Sequence, residues 1–78
     1  MNLYLISQTV NNDYETYDSA VVAALDAPKA QCMHPNPLSR EYPHTDWAEP
    51  KDVSVRLIGL AAPDITEPCV ILASFNAG

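Results

Sequence analysis

The chain has 78 residues, with ten acidic and four basic side chains, a formal net charge of −6 and only two cysteines. Residues 1–78 are enough for a single domain with one small core and too few for two domains. The negative charge argues against direct binding to nucleic acid. Two cysteines are too few for a disulfide-stapled secreted scaffold. No apolar run is long enough for a membrane helix. We therefore expect a cytoplasmic protein with free thiols.

The first part of the chain predicts two strands. Residues 3–10 are rich in β-branched and aromatic side chains and stop at an Asn-Asn-Asp turn signal. Alternation along this strand places Leu3 and Leu5 on the face that we expect to be the core. A polar connection follows, and the apolar run 19–25 with its pair of valines predicts the second strand.

A short helix is predicted next. Asp26 is a suitable N-cap, and Pro28 lies in the first turn, where its missing N–H costs nothing. We expect this helix to continue to His34 and to end at Pro35, because a residue before proline is disfavoured in helical geometry. The side chains expected on its buried face are Ala30, Met33 and Cys32.

The second half of the chain begins with a proline-rich loop, residues 35–52, from which Trp47 is expected to fold back and seal one edge of the core. Residues 52–61 alternate cleanly and predict a third strand, and residues 69–75 predict a fourth. The order β-β-α-β-β predicts an α+β fold, an antiparallel sheet of about four strands with one short helix packed on one face. The expected core residues of the strands are Leu5, Val22, Val55, Leu57, Val70 and Leu72.

Three stretches of the chain resemble a known family: LYLISQ at residues 3–8, NDYETYDSAVVAA at residues 12–24 and ILASFNAG at residues 71–78. Together with His34-Pro35 and a tryptophan in the following loop, they are similar to a family of small phage and prophage proteins. The resemblance covers both ends and about half of the chain. The family carries no catalytic motif, so the resemblance implies a mobile-element origin and no site residues. Many small acidic phage proteins are anti-CRISPR inhibitors, which makes that class the leading hypothesis.

The residues give little support to catalysis or metal binding. Cys32, His34, His44 and Cys69 could supply a Cys₂His₂ zinc site, but their spacing does not match that of zinc fingers, and ordinary packing explains the cysteines. A Cys–His nucleophile is disfavoured in net negative surroundings, and no glycine-rich phosphate loop is present. We expect no enzyme, no cofactor and no metal. A metal-dependent enzyme stays as the weakest alternative.

The distribution of acidic residues is more informative. Residues 1–28 contain acids but no Lys or Arg, and a second acidic group occupies the proline-rich loop and its end, namely Glu41, Asp46, Glu49 and Asp52. The simpler interpretation is a solvated surface that keeps a small protein soluble. The functional interpretation is a negative patch that meets a basic groove in a partner. The residues expected to form it are Asp13, Tyr14, Glu15, Tyr17 and Asp18.

The sequence therefore predicts a phage-encoded protein that acts by binding a host protein or ribonucleoprotein. Its best-matching role is inhibition of a CRISPR effector through an acidic surface that competes with nucleic acid. The alternative is a structural or assembly accessory that forms a homodimer by pairing an exposed sheet edge.

Overall fold

Four strands form one antiparallel sheet in a computed structural model that describes residues 1–12, 15–36 and 46–76. The strand order is β3-β1-β2-β4, so the two central strands come from the N-terminal part of the chain. The predicted α+β class and the order β-β-α-β-β are confirmed. The bounds are β1 Asn2–Ser7, β2 Thr16–Ala24, α1 Ala27–Gln31, a 3₁₀ helix Pro50–Asp52, β3 Ser54–Leu60 and β4 Cys69–Asn76.

The start of α1 follows its sequence signals, but the helix is shorter than predicted. The Asp26 carboxylate accepts a hydrogen bond of 3.0 Å from the Lys29 backbone N–H, as an N-cap does. The helix ends at Gln31, and the Cys32 N–H donates to the carbonyl three residues back, that of Lys29, at 3.3 Å. A helix of five residues cannot be stable alone, so its position depends on packing against the sheet.

The core lies between α1 and one face of the sheet. The face of β1 that enters it carries Tyr4 and Ile6, whereas Leu5 is half-buried on the opposite face. The prediction that Leu3 and Leu5 point into the core is therefore wrong. The buried hydrophobic cluster consists of Tyr4, Ile6, Ala20, Val22, Ala24, Ala30, Trp47, Ala48 and Val53.

Of the other residues predicted to be in the core, some are buried and some are exposed, depending on the face on which strand pairing places them. Val22 is fully buried, and Trp47 seals the core as predicted, with 4% of its surface exposed. Leu72 is 70% exposed because it pairs with Val21 on the face opposite α1. Leu57 is 60% exposed although it pairs with Tyr4, and it lies on the edge strand β3 beside the irregularity in the pairing with β1. The remaining two, Val55 and Val70, are half-buried against the cluster.

Candidate functional site

The fold brings the two acidic stretches of the sequence to the same end of the sheet. The Tyr17 N–H donates to the Asp46 carbonyl at 2.8 Å, and the Asn11 side-chain amide donates to the Trp47 carbonyl at 3.2 Å. These bonds place the end of the proline-rich loop beside the β1–β2 connection. We call this surface the acidic end; its described carboxylates are Glu15, Asp18, Asp46, Glu49 and Asp52.

Only two of these five carboxylates contact a basic side chain within the described part of the chain. Asp46 accepts a hydrogen bond of 2.9 Å from His34 Nε2, and Glu49 lies 3.7 Å from Lys51 Nζ at an exposed position, where such a pair contributes little. The other three side chains are exposed, namely Glu15, Asp18 and Asp52. The acidic end therefore presents a negative field that Lys51 only partly offsets.

The sequence-predicted patch is only partly described. Asp13 and Tyr14 lie outside the described residues. Glu15 is exposed at a left-handed φ of 61°, with its N–H donating to the Asn76 carbonyl at 2.7 Å. Asp18 is also exposed, at an irregularity in the pairing of β2 with β4. These two carboxylates face solvent, as binding to a basic partner requires.

Tyr17 has a structural role, which is the commoner role for a tyrosine in such a connection. Its side chain is half-buried and packs against the core cluster. The ring lies 4.8 Å from the Phe75 ring and 6.0 Å from the His34 ring, the latter in an edge arrangement. Substituting Tyr17 would therefore disturb packing as well as any contact with a partner.

The structure adds a residue to the acidic end that sequence reasoning missed. Phe75 is 47% exposed and lies beside Asp18 in a groove of about 380 Å³. The groove is lined by Asn11, Asn12, Thr16, Asp18, Ser74, Phe75 and Asn76. An exposed aromatic ring beside acids is a typical anchor at protein interfaces. Its place here depends on the pairing of β4 with β2, for which the sequence holds no local signal.

A buried glutamine holds the β1–β2 connection in shape. Gln8 is 4% exposed, and its Nε2 donates to the carbonyls of Asn11 at 2.7 Å and Tyr17 at 2.8 Å. Its Oε1 accepts from the Asn11 N–H at 2.8 Å. All polar atoms of the side chain are thus used, and the connection is tied to the start of β2.

We expect Gln8→Leu to lower the free energy of unfolding by about 2–3 kcal/mol, because it leaves backbone groups of Asn11 and Tyr17 without their partner. Urea denaturation followed by circular dichroism measures the change. Asn12→Ala is the control; it removes a single exposed bond, from Asn12 Nδ2 to the Thr9 carbonyl, and should change stability by less than about 0.5 kcal/mol. Equal losses in the two variants would contradict the role of Gln8.

The best candidate for chemistry is a cavity of about 200 Å³ between the end of α1 and Trp47, with Cys32 and His34 in its wall. Both nitrogens of the His34 ring are engaged. Nδ1 accepts from the Asn36 N–H at 2.8 Å, so the Nε2 hydrogen donates to Asp46. Neither nitrogen is left to take a proton from the Cys32 thiol, and this histidine instead orients the chain around Asp46.

The proposed zinc ligands are not brought together in the described part of the chain. Cys32 and Cys69 are free and exposed, so neither packs in the core as a buried cysteine would. Cys69 pairs with Ala23 on the face opposite α1, whereas Cys32 lies at the end of α1. His44 is outside the described residues. Among residues 1–12, 15–36 and 46–76, no group of three metal-ligating side chains is found.

Comparisons with protein-family models, curated proteins and solved structures find no match to this chain. Within the described ranges, no helix has the length and apolar character needed to cross a membrane.

Proposed function

We propose that this protein is a non-enzymatic binding domain that docks its acidic end into a basic groove of a host complex that handles nucleic acid. The observation that carries the proposal is that two acidic stretches, separate in sequence, are joined by the bonds from Tyr17 to the Asp46 carbonyl and from Asn11 to the Trp47 carbonyl. Electrostatic complementarity of this kind accelerates association and selects the partner.

Within the acidic end, the carboxylates and the exposed aromatic ring have different roles in binding. Glu15, Asp18 and Asp52 are exposed without ion pairs to described residues, so their field acts at long range and governs the rate of encounter. Phe75 supplies apolar surface within the same groove, which governs how long the complex lasts.

The identity of the partner is proposed from the resemblance to phage and prophage proteins. We infer that the partner is a CRISPR effector ribonucleoprotein in the cytoplasm of a bacterial host, and that the acidic end occupies the groove that otherwise binds DNA or RNA. A groove that binds phosphates is lined by Lys and Arg, the complement of this surface. No cofactor or metal is needed for such inhibition, and the protein itself does not bind nucleic acid.

The test is a charge-neutralising pair, Glu15→Gln with Asp18→Asn, measured against an effector captured from host lysate on the immobilised protein. We expect association at low salt to slow by about tenfold, with a flatter salt dependence, because long-range attraction is lost. The matched control is Asp64→Asn with Glu67→Gln, which removes the same charge from two exposed positions in the β3–β4 connection, far from the acidic end.

Equal slowing by the two pairs would mean that only total charge matters, and no slowing by either would remove the acidic end from the interface. The competition with nucleic acid is tested separately by adding the effector's target DNA or RNA. We expect mutually exclusive binding. Simultaneous binding at full affinity would contradict the proposed mimicry of nucleic acid.

A further inference from the structure

The face of the sheet opposite α1, called the open face here, consists of three rows of paired residues that run across all four strands. From β3 to β4 these rows are Ser54-Ser7-Ser19-Ser74, Arg56-Leu5-Val21-Leu72 and Gly59-Leu3-Ala23-Cys69. The helix and Trp47 pack on the other face. The open face therefore carries small and apolar side chains, with Arg56 at one end of the middle row.

The open face is uncharged apart from one residue. Among its twelve paired residues, Arg56 is the only ionisable side chain besides the Cys69 thiol and none is a carboxylate, while Asp18 lies beside the serine row in a groove that Ser74 also lines. Its middle row is apolar, with Leu5 and Val21 half-buried and Leu72 70% exposed. A shallow groove of about 260 Å³ runs beside these three residues. Such a surface is typical of an interface.

We propose that a second copy of this chain covers the open face, so that two sheets pack face to face as a homodimer. A two-fold contact places the same patch against itself, and a chain with a net charge of −6 can do this only where carboxylates are absent. The open face meets that requirement. A basic partner would instead be attracted to the acidic end, and an acidic partner would find only Arg56 to pair with.

The area of the open face and the small size of its side chains fit a reversible dimer. Three rows of four residues cover about 20 Å by 20 Å, or about 400 Å² of sheet plane on each copy, at the usual strand spacings. Two such faces give about 800 Å² in total, which is below the size of stable specific interfaces and fits a weak, transient dimer and not an obligate one. The serines, Ala23 and Gly59 are small enough for two sheets to approach to about 10 Å.

The edges of the sheet are less suited to self-pairing than its face. Ile58 is an extra residue in β3, because the pairing with β1 passes from Leu57 to Gly59. Ile71 is likewise an extra residue in β4, where the pairing with β2 passes from Val70 to Leu72. Such bulges twist an edge strand and interrupt its row of free backbone groups, and thereby hinder edge-to-edge pairing. The structure thus favours a face-to-face dimer over the edge-paired dimer expected from the sequence.

The experiment is sedimentation equilibrium of the reduced protein alone, at about 5–500 µM, in about 50 and 500 mM NaCl. We expect a monomer–dimer equilibrium that tightens severalfold at high salt, because salt screens the repulsion between two acidic chains. Leu72→Glu and Leu5→Glu, each tested singly, should raise the dimer Kd at least about tenfold, since each buries a carboxylate in the contact. The Leu5 position lies opposite Arg56, so the new carboxylate has a partner within the folded monomer.

The matched control is Leu60→Glu, which adds the same charge at a leucine that is 79% exposed. Leu60 pairs with Asn2, whose side-chain amide donates to the Tyr4 hydroxyl on the helix side of the sheet, so Leu60 is not part of the open face. This substitution should change the Kd by less than about twofold at high salt. A wild-type monomer at every concentration would overturn the proposal. So would a dimer whose Kd changes with neither Leu72→Glu nor Leu5→Glu, because the open face would then lie outside the contact. No host partner is present, so the outcome is independent of the function proposed for the acidic end.

Discussion

Ile6→Ala should lower the free energy of unfolding by about 2–5 kcal/mol, whereas Leu72→Ala should lower it by less than about 1 kcal/mol. Ile6 is fully buried between the sheet and the helix layer, so truncation removes apolar contacts and leaves a cavity. Leu72 is 70% exposed on the open face, so truncation there removes little buried surface. A domain of this size has a total stability of roughly 4–12 kcal/mol, so the loss at Ile6 is a large share.

The measurement is urea denaturation followed by circular dichroism at low micromolar concentration, where dimerisation does not contribute to stability. The comparison tests which face of the sheet is the core, because the two side chains differ little in size. A larger loss for Leu72→Ala than for Ile6→Ala would mean that the helix packs on the other face.

Trp47→Ala should lower the free energy of unfolding by about 3–5 kcal/mol. The side chain is 4% exposed, lies in the core cluster and approaches the His34 ring at 6.5 Å. It also holds the end of the proline-rich loop against the sheet, where its carbonyl accepts the bond from Asn11. Losing the indole therefore destabilises the core and removes the side chain that anchors residue 47 beside the acidic end, although the backbone carbonyl remains.

Leu57→Ala is the comparison for Trp47→Ala, since Leu57 is 60% exposed and should contribute less than about 1 kcal/mol. Unfolding must be followed by circular dichroism, because Trp47 is the only tryptophan and its variant has no indole fluorescence. Trp47→Phe keeps an aromatic ring and should retain part of the stability. Equal stabilities for Trp47→Ala and Leu57→Ala would show that Trp47 does not seal the core.

The two proposed interfaces adjoin at Ser74, which lines the groove of each, but they act through different forces. The acidic end depends on charge, so its interaction weakens with salt. The open face depends on apolar burial between like-charged chains, so its interaction strengthens with salt. Salt dependence therefore separates binding to a host complex from self-association without any substitution.

Sequence alone determined the elements whose signals are local. Asp26 and Pro28 mark the start of α1 because an N-cap and a first-turn proline act on their own backbone. Clean alternation predicts β3, and the order of elements predicts the α+β class. The acidic character and the scarcity of basic residues are also fixed by composition.

The tertiary structure decided which face of the sheet became the core. Tyr4 and Ile6 alternate with Leu3 and Leu5, so both faces of β1 are apolar and local pattern cannot choose between them. The choice follows from the side on which α1 and Trp47 pack, and this is a long-range contact. The same reason applies to the acidic end, since strand pairing and the bonds to residues 46 and 47 bring Asp18, Phe75 and the second acidic stretch together. Local propensity acts over a few residues, whereas these neighbours are separated by about 30 to 60 positions and meet only when the sheet forms.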